Sequence, residues 1–110
     1  MKVCYAIRPS FYELIQQHPE LLRSSEDLSM EQRELMFEKI DINSLMISAS
    51  SYFQSAIVME ESILYLDHSI KQKQYSMVCF EYFVKIDSEQ NPFLPFVKRI
   101  FRNFFVLECE

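Results

Sequence analysis

The chain has 110 residues, a formal net charge of −5, and a composition that is 49% hydrophobic and 15% aromatic. That is enough apolar material for one domain with its own core, and it excludes a disordered tail or a disulfide-stapled miniprotein. The negative charge disfavours nucleic acid as a partner, and no apolar run approaches the roughly 20 residues that a membrane-spanning helix needs. Three scattered cysteines, Cys4, Cys79 and Cys109, form no CxxC pair and suit a reduced, cytoplasmic setting.

From the N-terminus, Pro9 and Ser10, with Glu13 three residues on, predict a capped first helix whose Phe11, Leu14 and Ile15 face inward. Pro19 should break it, because a proline ring inside a helix loses a hydrogen bond and clashes with the preceding turn. Ser29 and Gln32 form a second capping box, opening a polar helix through Leu35, Met36 and Ile40. Between Glu13 and Asp41 eight acids (13, 20, 26, 27, 31, 34, 38, 41) face three bases (23, 33, 39). Such a run is a solvated face or a surface for a basic partner. From Asn43 onward, Leu45, Ala49, Phe53, Ala56 and Ile57 mark the apolar face of another helix, with Ser44, Ser48, Ser51 and Ser55 as a stripe of small side chains.

The segment from Gln74 to Phe93 carries two patterns at once. Tyr75, Val78, Tyr82 and Ile86 recur every three or four residues, as in an amphipathic helix with Glu81 and Lys85 paired one turn apart. Val78, Phe80, Tyr82, Val84 and Ile86 also alternate with Glu81, Lys85 and Asp87, as in a strand. Composition favours the helix: glycine is absent from the chain, whereas two-residue hairpin turns prefer it at their positive-φ positions. Ile63, Leu64 and Ile70 then belong to the preceding helix. Asn91 and Pro92 open the last one, in which Phe93, Phe96, Val97, Ile100, Phe101 and Phe104 form an aromatic stripe.

These elements add up to an all-α domain spanning residues 1–110, a small bundle of about five helices with a helical hairpin between roughly Glu60 and Ile86. The alternative is an α+β fold with strands near residues 2–8, 75–87 and 104–109. Residues from about Ala56 to Phe93 resemble a single tetratricopeptide-type helical hairpin. Its first helix would end at KQKQ, Tyr75 stands at the aromatic position opening the second, Tyr82 at the large aromatic, and Pro92 follows a polar turn. Leu66, Val78 and Lys85 stand where that motif has small residues. The resemblance implies a protein-binding scaffold whose neighbouring helices come from the rest of the chain.

Catalytic chemistry is sparse. The histidines are His18 and His68, and the chain has no HExxH, no Cys and His set at ligand spacing, no phosphate-cradling glycine loop and no GxSxG. In a helix the adjacent Asp67 and His68 point about 100° apart, so they do not form a base and its orienting partner. No catalytic residue, cofactor or metal is expected, and the chain reads as a non-enzymatic protein-interaction module. Its partner-binding residues are expected at Phe93, Phe101, Phe104 and Phe105, an aromatic surplus suited to a second protein or to a homodimer. The alternative is an acidic inhibitor or immunity-type protein that blocks a basic surface through Glu31, Glu34 and Glu38. Cys79 is expected in the core, and Cys4 and Cys109, near the termini, are the candidates for exposure.

Overall fold

The computed structural model describes residues 1–23, 27–68 and 72–108. Six strands, β1 (Lys2–Ala6), β2 (Ile57–Glu60), β3 (Ile63–His68), β4 (Lys73–Cys79), β5 (Phe83–Ile86) and β6 (Phe104–Glu108), form one antiparallel sheet in the order β2-β3-β4-β5-β1-β6. Among the described residues the helices are α1 (Pro9–Gln17), α2 (Glu20–Arg23), α3 (Met30–Met36), α4 (Ile42–Phe53) and α5 (Phe93–Ile100). None of them is long and apolar enough to cross a membrane.

The sheet overturns the all-α bundle, and the helical hairpin expected between Glu60 and Ile86 is instead the meander β2 to β5. Alternation of burial decides it. Leu64 and Leu66 on β3, and Tyr75, Met77 and Cys79 on β4, enter one core, while Ile63, Tyr65, Ser76 and Val78 between them are only half-buried. In a helix this parity would scatter the buried side chains around the axis; in paired strands it aligns them on one face. The helical spacing of Tyr75, Val78, Tyr82 and Ile86 fails because the chain reverses at residues 80–82. Its two halves lie on neighbouring strands, with Val78 opposite Lys85 and Cys79 opposite Val84. The α+β alternative matches β1, the β4–β5 hairpin and β6, whereas β2 and β3 belong to neither expectation.

Signals at helix ends act locally and survive. Ser29 and Gln32 form the reciprocal capping box of α3, at 3.2 Å and 2.9 Å. Pro9 occupies the first turn of α1, although no side chain caps that helix, and α1 ends two residues before Pro19. Asp41, not Asn43, caps α4: its Oδ1 accepts from the Asn43 and Ser44 amides at 3.1 Å and 3.4 Å. Asn91, 1% exposed, ties α5 to the sheet. Its Oδ1 accepts from the Phe93 amide at 2.9 Å, and its Nδ2 donates to the Ser76 carbonyl at 2.9 Å and to Asp87 Oδ1 at 3.0 Å.

The hairpins form without glycine because other residues take its backbone conformation. Gln54, Glu61, Gln72 and Asn103 lie in the left-handed region, with φ of 50°, 55°, 50° and 48°. Gln54 ends α4, Glu61 stands in the two-residue turn between β2 and β3, and Gln72 and Asn103 immediately precede β4 and β6. Asn103 suits this region best, and its side-chain amide donates to the Ile7 carbonyl at 3.2 Å. For Gln54 and Glu61 the Cβ crowds the backbone at a cost of about 1–2 kcal/mol each. Gln54→Gly and Glu61→Gly are therefore expected to stabilise the fold by about 0.5–1 kcal/mol each, after the extra freedom of the unfolded chain is deducted. Urea unfolding of the two variants checks this, and a loss of stability in both would contradict these turn conformations.

Candidate functional site: a groove on the half-covered sheet face

The two faces of the sheet are covered unequally. On one, α4 and α5 press Leu45, Ala49, Phe93, Phe96 and Val97 onto side chains from β1 through β5. On the other, Ile15 of α1, Leu22 of α2, Met36 of α3 and the following Phe37 meet Val3, Tyr5, Ile7 and Leu107 on the β1–β6 half. Among the described residues, no buried side chain of β2, β3 or β4 joins this second core. Val58, 51% exposed, and the half-buried Ile63, Tyr65 and Val78 are thus the outer surface of an uncovered half-sheet. By register a cross-strand row runs Glu60, Ile63, Val78, Lys85, Val3, Leu107, so that surface continues directly into the covered half.

Where the cover begins there is an open groove of about 1100 Å³. Strand residues Val3, Tyr5, Phe83, Lys85 and Leu107 line it from the sheet. Leu22 and Arg23 of α2, Arg33 of α3 and the following Phe37 line it from the covering layer, and Phe80, Glu81 and Tyr82 from the β4–β5 turn. Phe80, 41% exposed, stacks on Phe83 with ring centroids 4.6 Å apart and planes at 19°. The Lys85 ammonium sits 5.3 Å from the centre of the Phe80 ring and 6.0 Å from that of Phe83, so the aromatic pair holds a cation at the groove.

The acids of the groove are engaged elsewhere. Glu81 pairs with Lys39 at 3.2 Å, and Glu108 with Lys2. The Lys2 hydrogen bond holds the Glu108 carboxyl below its usual range, and the hydrogen bond to Glu81 raises Lys39. Tyr82, 5% exposed, has a hydroxyl without a hydrogen-bond partner among the described residues, and burial, with Glu34 and Glu81 nearby, pushes that hydroxyl's pKa up. Burial likewise drives the Cys4 and Cys79 thiols up to about 12. The Ser44 hydroxyl and amide lower Asp41. All of these shifts lead away from neutral pH, the reverse of what a general acid or base requires. Among the described residues, no three His, Cys, Asp or Glu side chains come together so as to hold a metal ion.

The residues expected from sequence to meet a partner are dispersed. Phe93 is fully buried and packs edge-on to Phe53, ring centroids 5.5 Å apart. Phe101 and Phe104 are half-buried against the same core, and Phe105 against the other. These four aromatics serve two cores, one on each face of the sheet. Glu31 and Glu34 are exposed on α3, Glu38 is half-buried just beyond it, and none of the three lines the groove. Cys79 is in the core as expected; Cys4 is also fully buried, against expectation, while Cys109 lies outside the described residues. Asp67 and His68 end β3 rather than a helix, with Asp67 Oδ1 accepting from Gln74 Nε2 at 3.1 Å. Sequence reasoning missed Phe80, Phe83 and Lys85 as a group; the signal was the strand alternation of Lys85 with Val84 and Ile86.

No protein-family model, no curated protein and no solved structure matches this chain. Two measurements test the site as described. An unpartnered buried hydroxyl costs about 1–3 kcal/mol, so Tyr82→Phe should leave the protein as stable or raise its stability by about 1 kcal/mol in chemical denaturation. A clear destabilisation would reveal a hydrogen bond to that oxygen. The thiols give a pH test. Their folded pKa values lie above the ordinary 9.0, so the unfolded chain ionises first. Stability should be unaffected by them below pH 9 and fall as pH rises toward 12, by about 1.4 kcal/mol per pH unit per thiol. The Cys4→Ala, Cys79→Ala double variant should show a flatter alkaline limb than the parent, whatever its stability at pH 8.

Proposed function

We propose that this chain is a non-enzymatic protein-binding module that receives its partner on the uncovered half of the sheet and the adjoining groove. The observation that carries this reading is the continuity of Val58, Ile63, Tyr65 and Val78 with the stacked Phe80 and Phe83. They form a contiguous, partly exposed apolar surface that no helix among the described residues covers. Interfaces of this kind place aromatic anchors in a desolvated centre, and Phe80 on its turn is positioned for that role. The pKa directions support a binding rather than a catalytic use, because every shifted group among the described residues is locked further into its neutral-pH form.

A second reading has its own observation. On α3, Met30 and Leu35 are each 61% exposed beside Glu31 and Glu34, a mixed acidic and apolar face that suits an inhibitor of a basic surface. Site-specific photo-crosslinking in the native host separates the two. A photoreactive residue replacing Phe80 should capture a partner, whereas one replacing Leu35, or Ile47 on the far side of the molecule, should not. Capture from Leu35 alone would replace the sheet-face reading with the inhibitor one. Capture of a second copy from Phe80, with sedimentation showing a dimer, would make the partner this chain itself.

A further inference from the structure

We propose that the groove binds an acidic, apolar segment of the partner protein, with Arg23 and Lys85 receiving its carboxylates. This deepens the protein-binding reading and rests on it. The chain carries a net charge of −5, yet this groove is lined by three cationic side chains and two acids. Both acids are already engaged, Glu81 with Lys39 and Glu108 with Lys2. The local field therefore opposes that of the whole molecule, and charge complementarity selects an anionic ligand.

The arrangement of the cations narrows the ligand further. Lys85 stands between Val78 and Val3 in the cross-strand row, so a group that reaches its ammonium has apolar neighbours on both sides. Stacking of Phe80 on Phe83 positions that ammonium against aromatic carbon rather than a carboxylate, and a carboxylate brought by a ligand completes the pairing. Arg23 adds, from the covering layer, a planar fork suited to a carboxylate. Tyr82 adds a buried hydroxyl with no partner among the described residues, able to donate to a peptide carbonyl or a carboxylate at the same groove. A chain with acids interleaved among apolar side chains meets all of these at once. A nucleic acid meets the cations but not the apolar floor. At about 1100 Å³ the groove lies at or above the upper end of small-molecule sites, roughly 300–1,000 Å³.

Selection of a random peptide-display library on the immobilised full chain tests this. The expected result is enrichment of Asp and Glu interleaved with aliphatic or aromatic residues. Anisotropy measurements with the enriched peptides should then show binding that weakens with salt and drops about tenfold or more in Arg23→Glu and in Lys85→Met. Ile47→Ser, on the opposite side, should bind as the parent does. Thermal melts identify any variant that fails to fold; Arg23 is exposed, so Arg23→Glu keeps the test available. Enrichment of basic peptides, no enrichment at all, binding indifferent to both groove variants, or displacement by a short single-stranded oligonucleotide would each overturn the proposal. In those cases a persisting cross-link at Phe80 preserves the protein-binding reading, and its absence removes that reading as well.

Discussion

Strand β1 is the constraint on which the rest of the structure depends. It pairs with β5 on one side, Lys2 opposite Ile86 through Tyr5 opposite Phe83, and with β6 on the other, Lys2 opposite Glu108 through Ala6 opposite Phe104. Both partners come from the far end of the chain, so β1 joins the meander β2 to β5 to a strand that otherwise has no neighbour. Its alternate side chains also serve both cores, Cys4 beneath α4 and α5, Val3 and Tyr5 beneath the other three helices. The segment after α3 is fastened to the same strand: Arg8 donates to the Met36 carbonyl and Glu38 to that of Ala6, each at 2.9 Å. Such long-range pairing must close large loops before any contact rewards it, which places the molecule among slower-folding topologies.

Unequal cover follows from where the helices leave this hub. The connection from β1 to β2 contains α1, α2, α3 and α4. The first three stay over the β1–β6 half, while α4 crosses to the other face and reaches β2 there. Nothing in the remaining chain among the described residues returns to cover the outer side of β2, β3 and β4. The groove is thus a boundary feature, formed where a helical layer stops partway across a sheet. Its apolar floor and its cations come from different layers, which is why no contiguous stretch of sequence displays it. The hairpin edge β2 is short and carries Glu60, features that limit edge-to-edge association while leaving the flat face open.

Absence of glycine has a different meaning from the one composition suggests. A turn needs a backbone conformation rather than a residue type, and Gln54, Glu61, Gln72 and Asn103 supply it at the cost of crowding at Cβ. That cost, about 1–2 kcal/mol per position, is less than the roughly 1.5–3 kcal/mol contributed by burying each of Leu64, Leu66, Met77 and Val84. Tertiary packing of two faces overrides a local preference of this size, as it overrides the helical spacing of Tyr75, Val78, Tyr82 and Ile86.

What the sequence by itself determined was local. The α3 capping box, the break at Pro19 and the helices at α1, α4 and α5 rest on interactions within a few residues, which any short segment expresses. Cys79 reaches the core as expected, but on a strand rather than on the apolar stripe of a helix. Only the tertiary structure decided that residues 57–86 are strands, because a strand satisfies its backbone through a neighbour that may lie anywhere in the chain. It also decided that Phe93 serves a core, and that Arg23, Arg33, Lys85, Phe80 and Tyr82 meet at one groove. Those residues belong to two helices, a strand and a turn on different layers, and their proximity exists only once β1 has drawn the two ends of the chain together.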